Sequence, residues 1–164
     1  MDKEFEIRTI LYATDLGDNT RPIFRAALSL ARAYDASIIM VHVVEPMSSA
    51  MQAVVDTYLP EGEAEKVYKD GMKSVLNEMR IRLQKFSEEE LDSPGVAAGL
   101  VKEILVVSGR VSEEIVKAAN KHHADLIVMG KSSRSVFGSE VAGSSTRRVT
   151  RHTNTPVLIV PNIS

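Results

Sequence analysis

The chain has 164 residues, of which 44% are hydrophobic and 26% charged, the balance of one soluble globular domain large enough to bury a proper core. A formal net charge of -2, 5% aromatic residues and no Trp exclude a general nucleic-acid or anionic-membrane binder, which needs a basic face or a stacking platform. Cysteine is absent, which removes disulfides, thiol catalysis and cysteine metal sites together. The segment MDKEFEIRT has no apolar core of a secretory signal, and no apolar run reaches the roughly 20 residues of a membrane span, so no membrane insertion and a cytoplasmic location are expected.

Thr9–Ala13 is a short apolar run ending at Thr14-Asp15, followed by the turn-like LGDNT; it predicts a first strand and a loop. A helix over residues 22–34 follows, with Thr20 as the expected N-cap and Pro22 in the first turn, where its missing N–H costs nothing. Ile23, Ala26, Ala27, Leu30 and Ala31 fall at helical spacing and are expected to face a sheet. Ser37–Val44 is apolar almost throughout, as strands buried on both faces are, and it ends at Glu45-Pro46. Residues 47–62 form a Met- and Ala-bearing connection, either an extra helical turn or a flap. Met47, Met51 and Met72 could line an adaptable contact surface, but core filling is the more usual role expected of them.

A long helix is predicted over residues 63–86, with Val67, Val75, Met79, Leu83 and Phe86 as its apolar stripe. Residues 87–100 predict a linker, because acids, Pro94, Gly95 and Gly99 break any periodicity. The alternation then repeats. A strand over 104–107 precedes a helix running to 122, with Ser112 as expected cap and Glu113 and Glu114 in the first turn, where the helix dipole favours acids. A strand over 126–129, a glycine-bearing loop, a helix over 144–152 and a last strand, Val157–Val160, complete the chain. Pro156 cannot donate to a neighbour, which points to a sheet edge for that last strand. Five apolar strands alternating with helices predict an α/β fold, a single-domain open parallel five-stranded sheet with helices on both faces.

Residues 129–145 leave the fourth strand, turn at Gly130, cross a polar loop and enter the last helix through Ser144, Ser145 and Thr146. Strand, glycine-bearing loop and helix N-terminus are the elements that offer backbone N–H groups to a phosphate. The motif is Gly130-x-x-Ser133, nine residues, then Gly143-Ser144, with Lys131 and Arg134 alongside. It resembles the universal stress protein family, whose nucleotide-binding members carry G-x2-G-x9-G followed by Ser or Thr. Ile10-Leu11-Tyr12-Ala13-Thr14-Asp15 is similar to the family's first strand, Val41-His42-Val43-Val44 to the second, Ala124 to Gly130 to the fourth, and Thr155 to Val160 to the last. The resemblance covers nearly the whole chain, 1–164, as one domain.

The resemblance implies a Rossmann-like sheet in the order 3-2-1-4-5, so that the carboxyl ends of strands 1 and 4 flank the topological switch point where open α/β sheets bind ligands. It implies ATP, with or without Mg2+, as the adenine nucleotide bound there. Ala13, Thr14 and Asp15 would contact adenine and ribose, with Asp15 accepting from ribose hydroxyls. Val43 would hold the adenine by backbone and apolar contacts, and Met129 and Gly130 would line the sugar and first phosphate. Gly143, Ser144 and Ser145 would serve the phosphates at the helix's positive end. Ser133 stands where the family's binders have their second glycine. A position that needs φ > 0 would make its Cβ cost roughly 1–2 kcal/mol, whereas one that needs only an N–H would gain a hydroxyl. The family also implies a homodimer through Val157–Val160, and an apolar edge strand invites such pairing.

The expected function is a dimeric nucleotide sensor in the stress response with little or no catalysis. The alternatives are an interaction module without nucleotide and, further off, a slow ATP-hydrolysing enzyme. No Walker G-x4-G-K-[ST] is present, and ATDLGDNT after the first strand fits neither the HxGH nor the SGGxDS signature of related nucleotide-hydrolysing folds. An acidic pair after the first strand and a lysine after the last, as a phosphoacceptor receiver would want, are missing too: Asn162 follows the last strand. Plainer roles weigh against single residues. Asp15 can cap its own turn, Gly138 can simply form one, and His42 inside an apolar strand fits a hydrogen-bonded core histidine. His122 and His123 suit a helix C-terminus, and Arg147, Arg148 and Arg151 a solvated helix face.

Overall fold

The computed structural model describes residues 4–17, 20–91, 99–131 and 144–161. In chain order the elements are β1 (Thr9–Ala13), α1 (Thr20–Tyr34), β2 (Ser37–Val44), α2 (Ser49–Tyr58), α3 (Glu63–Leu91), β3 (Val101–Ser108), α4 (Val111–Lys121), β4 (Leu126–Gly130), α5 (Ser144–His152) and β5 (Val157–Val160). The strands form one parallel sheet in the order β3-β2-β1-β4-β5, as expected. None of the described helices is long and apolar enough to cross a membrane.

Alternate side chains of each central strand feed two cores, because successive residues of a strand point to opposite faces. On one face Ile10, Tyr12, Met40 and Val128 pack against Phe24, Ala27, Leu28 and Ala31 of α1 and Leu83 of α3. On the other, Leu11, Ala13, Ile39, Val41, Ile127 and Met129 pack against Ile115, Ala118 and Ala119 of α4 and Val149 of α5. This double coverage is why β1, β2 and β4 lack a polar alternation. Each large aliphatic or aromatic side chain buried there contributes about 1.5–3 kcal/mol. The buried stripe of α1 runs through Phe24 and Leu28 rather than through Ala26 and Leu30. Phe24 explains the rotation: its ring lies 5.1 Å from Tyr12 and 5.3 Å from Phe86, tying β1, α1 and α3 together.

Several expected boundaries shift for physical reasons. Residues 47–62 contain a full helix, α2, whose Ser48 side chain accepts from Met51 N–H at 3.3 Å as an N-cap. Tyr68 of α3 donates its hydroxyl to the Gln52 carbonyl at 2.9 Å. No residue of α2 is buried, and Met47 and Met51 are exposed rather than core-filling. α3 continues through Leu91, so residues 87–91 are helical and not linker; Ser87 and Glu90 are buried there. Glu90 is held by Arg21 and, at 3.0 Å, by Arg25 Nε. The first half of the α3 stripe faces solvent, with Val67 and Val75 exposed, and burial becomes complete only at Leu83. Ser112 does not cap α4: the N-cap is Arg110, without a side-chain cap bond, and Ser112 is buried in the first turn. β5 lies at the sheet edge beside β4, with Leu158 and Ile159 partly exposed.

Candidate functional site

β1 stops at Ala13, and the next residues fold into a tight, well-bonded turn. Thr14 N–H still donates to the Val41 carbonyl at 3.0 Å. The Thr14 hydroxyl then accepts from Leu16 N–H at 3.0 Å, and Asp15 Oδ1 accepts from Gly17 N–H at 2.9 Å. These are side chains substituting for the missing ladder, the habit of Thr and Asp at turns. Leu16 sits at φ 57, a left-handed conformation costly for a branched side chain. Leu16 also packs against the α1-side core, so burial offsets the strain, and Asp15 is left exposed at the rim. The expected turn-capping role of Asp15 and its place at the carboxyl end of β1 are therefore realised together.

The floor is fixed from beneath. The buried Tyr12 hydroxyl donates to the Thr20 carbonyl in the first turn of α1 at 3.3 Å. Burial pushes the Tyr12 phenol well above its ordinary value, only partly opposed by its hydrogen bond with Thr14, so it stays a neutral donor. At the neighbouring strand end a Cβ on Gly130 would lie 2.3 Å from Ile23 Cδ1. The first glycine of the motif thus gives Ile23 of α1 room to pack directly against β4. Lys131 N–H continues the ladder to the Val160 carbonyl at 2.8 Å, placing Lys131 on the same rim.

Together these ends enclose a cleft of about 500 Å³ at the carboxyl side of the sheet. Ala13, Thr14, Asp15, Val43, Met129, Gly130, Ser144 and Ser145, all singled out from the sequence, line it. Ser133 and Gly143, the other two, lie outside the described residues, as do Arg134 and Gly138. Val41, Val43, Ile115 and Met129 make an apolar base. Asp15 and Glu45 supply carboxylates, while Lys131 and the N-terminus of α5 supply the positive side. The arrangement can cover a flat apolar ring, accept from hydroxyls at Asp15, and donate to an anion from Lys131, Ser144, Ser145 and the first amides of α5. Among the described residues no cluster of acids and histidines could hold a metal ion.

The hydrogen bond expected of His42 is present, its Nδ1 lying 2.8 Å from the Thr14 carbonyl oxygen, but the residue is half-buried and lines this cleft rather than the core. Val111 and Ile115 of α4 and Ile23 of α1 also line it and were not singled out as site residues. The signal for these lay in the crossovers: α1 and α4 follow β1 and β3 directly, so their first turns must border the carboxyl edge. Nothing local in the sequence marks Leu16.

The sequence profile of the universal stress protein family matches residues 6–161. The universal stress protein in the QAH/OAS sulfhydrylase 3' region of Thermus aquaticus is 30% identical over 153 residues, covering 93% of this chain and 98% of that protein. Universal stress protein MJ0577 of Methanocaldococcus jannaschii is 26% identical over 156 residues, covering 93% and 94%. The solved structure of MJ0577 superimposes with a TM-score of 0.69 at 24% identity over 96% of this chain and 98% of its own. A universal stress protein solved in complex with cAMP superimposes with a TM-score of 0.57 at 22% identity, covering 96% and 99%.

Proposed function

The chain belongs to the universal stress protein family, and we propose that it acts as an adenine-nucleotide sensor, with ATP held in the cleft at the carboxyl ends of β1 and β4. The observation that carries this reading is convergence. Three chain segments, at Ala13–Asp15, Met129-Gly130 and Ser144-Ser145, line one cleft at the topological switch point of the sheet. The solved relative in complex with cAMP, which shares the fold, supports an adenine nucleotide as the ligand class.

In this reading adenine lies on Val41, Val43 and Met129, and Asp15 accepts from the ribose hydroxyls. The phosphates run toward Lys131 and the α5 N-terminus, where the helix dipole and serine hydroxyls favour negative charge. Mg2+, where present, neutralises phosphate oxygens rather than joining a protein metal site. The family motif adds Ser133 and Gly143 as phosphate partners by sequence. The chain works in the cytoplasm, binding rather than turning over its ligand, and pairs with a second copy through the exposed edge of β5. Light scattering that finds only monomer at micromolar concentration would remove the dimer from the proposal.

Isothermal calorimetry tests the ligand. ATP binds the native protein, and Asp15→Ala weakens it about tenfold or more, the loss of roughly one charge-assisted hydrogen bond. An absence of binding at millimolar ATP, with and without Mg2+, would overturn the reading. A second reading, an interaction module independent of nucleotide, draws on one specific feature. Met47, Met51, Val54 and Tyr58 are all exposed at 43%, 53%, 54% and 83% and recur at helical spacing along and just before α2.

A further inference from the structure

In a parallel ladder a residue that donates to one carbonyl accepts from the N–H two residues further along the same neighbour. Thr14 N–H donates to the Val41 carbonyl at 3.0 Å, so the next rung would run from Val43 N–H to the Thr14 carbonyl. That rung is not made: the pairing of β1 with β2 ends at Ala13 and Val41. The Thr14 carbonyl instead faces His42 Nδ1 at 2.8 Å. A carbonyl only accepts, so the proton is on Nδ1 and the ring donates.

The imidazole thus bonds the acceptor that the next rung of the ladder would use. On its other edge β2 remains paired with β3 through Val44 and Ser108, and Gly109 N–H donates to the Val44 carbonyl at 3.1 Å. Peptide groups of a strand alternate between neighbours, so the N–H and C=O of Val43 both point to the β1 side, just beyond where β1 has turned away. Val43 lines the cleft at that point. A donor and an acceptor on one extended residue suit the backbone contact to adenine that the family resemblance implies for Val43.

We propose that His42 is a positioning residue of the cleft: by claiming the Thr14 carbonyl it keeps the Val43 N–H out of the strand ladder and available to ligand. The same bond anchors Thr14, whose hydroxyl and peptide organise the turn that carries Asp15. The proposal rests on the nucleotide reading only for the identity of the ligand. The backbone arrangement stands apart from it.

Amide hydrogen exchange by NMR on the full chain tests it without ligand. In the native protein the Val43 amide exchanges about tenfold or more faster than the Val41 amide, which is inside the ladder. His42→Leu lets the rung close and slows Val43 by about the same factor, whereas His42→Asn, whose side-chain amide can replace Nδ1–H, keeps it fast. With ATP as probe, His42→Leu weakens binding about tenfold and His42→Asn restores it to within about threefold. Equal protection of Val43 and Val41 in the native protein overturns the proposal, and so does a Val43 rate indifferent to His42→Leu. Should His42→Leu fail to fold, the native exchange rates and His42→Asn decide. If the native protein shows the fast Val43 amide yet binds no ATP, the nucleotide reading fails and the role of His42 stands.

Discussion

Gly130→Ala isolates what the first glycine of the motif is for. Its Cβ would lie 2.3 Å from Ile23 Cδ1, with Ile23 Cγ1 next at 3.5 Å. Carbon atoms settle at about 3.5–4.0 Å, so the helix side chain must retreat by more than an ångström or leave its rotamer. Ile23 is only 8% exposed, and overpacking of this kind costs about 1–3 kcal/mol. Ile23→Val removes Cδ1 itself and alone costs about 0.5–1.5 kcal/mol. With Cδ1 gone the added methyl meets nothing closer than ordinary contact, so the double variant should be no less stable than Ile23→Val alone. Urea denaturation of the four proteins closes the cycle, and each kcal/mol corresponds to about 2–4 °C in Tm for a chain of this size. Additive losses, within about 0.5 kcal/mol, would refute the packing explanation of Gly130.

Further expectations follow from the same contacts. Leu83→Ala, at a fully buried position, should cost about 2–5 kcal/mol, whereas Val67→Ala on the exposed half of the same helix should stay within about 0.5 kcal/mol, both read by urea denaturation. Tyr12→Phe removes the donor to the Thr20 carbonyl and should cost about 0.5–1.5 kcal/mol with the fold retained by circular dichroism. Glu90→Gln should cost about 1 kcal/mol, held down because Arg21 and Arg25 are largely solvated, and added salt should narrow the difference from the native protein. Ser48→Ala removes the N-cap of α2 at about 1 kcal/mol; hydrogen exchange should report faster opening of α2 with the sheet amides unchanged.

The central strands were readable because both faces are covered, so apolar composition alone marks them. β3 is longer than the strand expected over 104–107 for the opposite reason. It is an edge strand whose Lys102 and Glu103 face solvent, and a rule tuned to buried strands passes over them. Residues 87–91 of α3 resemble a linker because SEEEL has the composition of one. Its acid at Glu90 is buried against two arginines of α1, a tertiary contact that no local pattern announces. Sheet order came from the family resemblance rather than from periodicity. For the cleft, strand-end residues such as Asp15 and Gly130 could be named in advance because the resemblance supplies the sheet order that brings their strand ends together. The role of His42 could not, because it depends on a rung of the ladder that is absent.

The central claim, that this cleft receives an adenine nucleotide, is met most directly by an NMR titration of the labelled protein with ATP, following every backbone amide. The account predicts saturable shifts concentrated at Thr14, Asp15, Val43, Gly130, Ser144 and Ser145, the residues that share the cleft. No shifts at millimolar ATP, or shifts confined to α2 and the first half of α3, would contradict it.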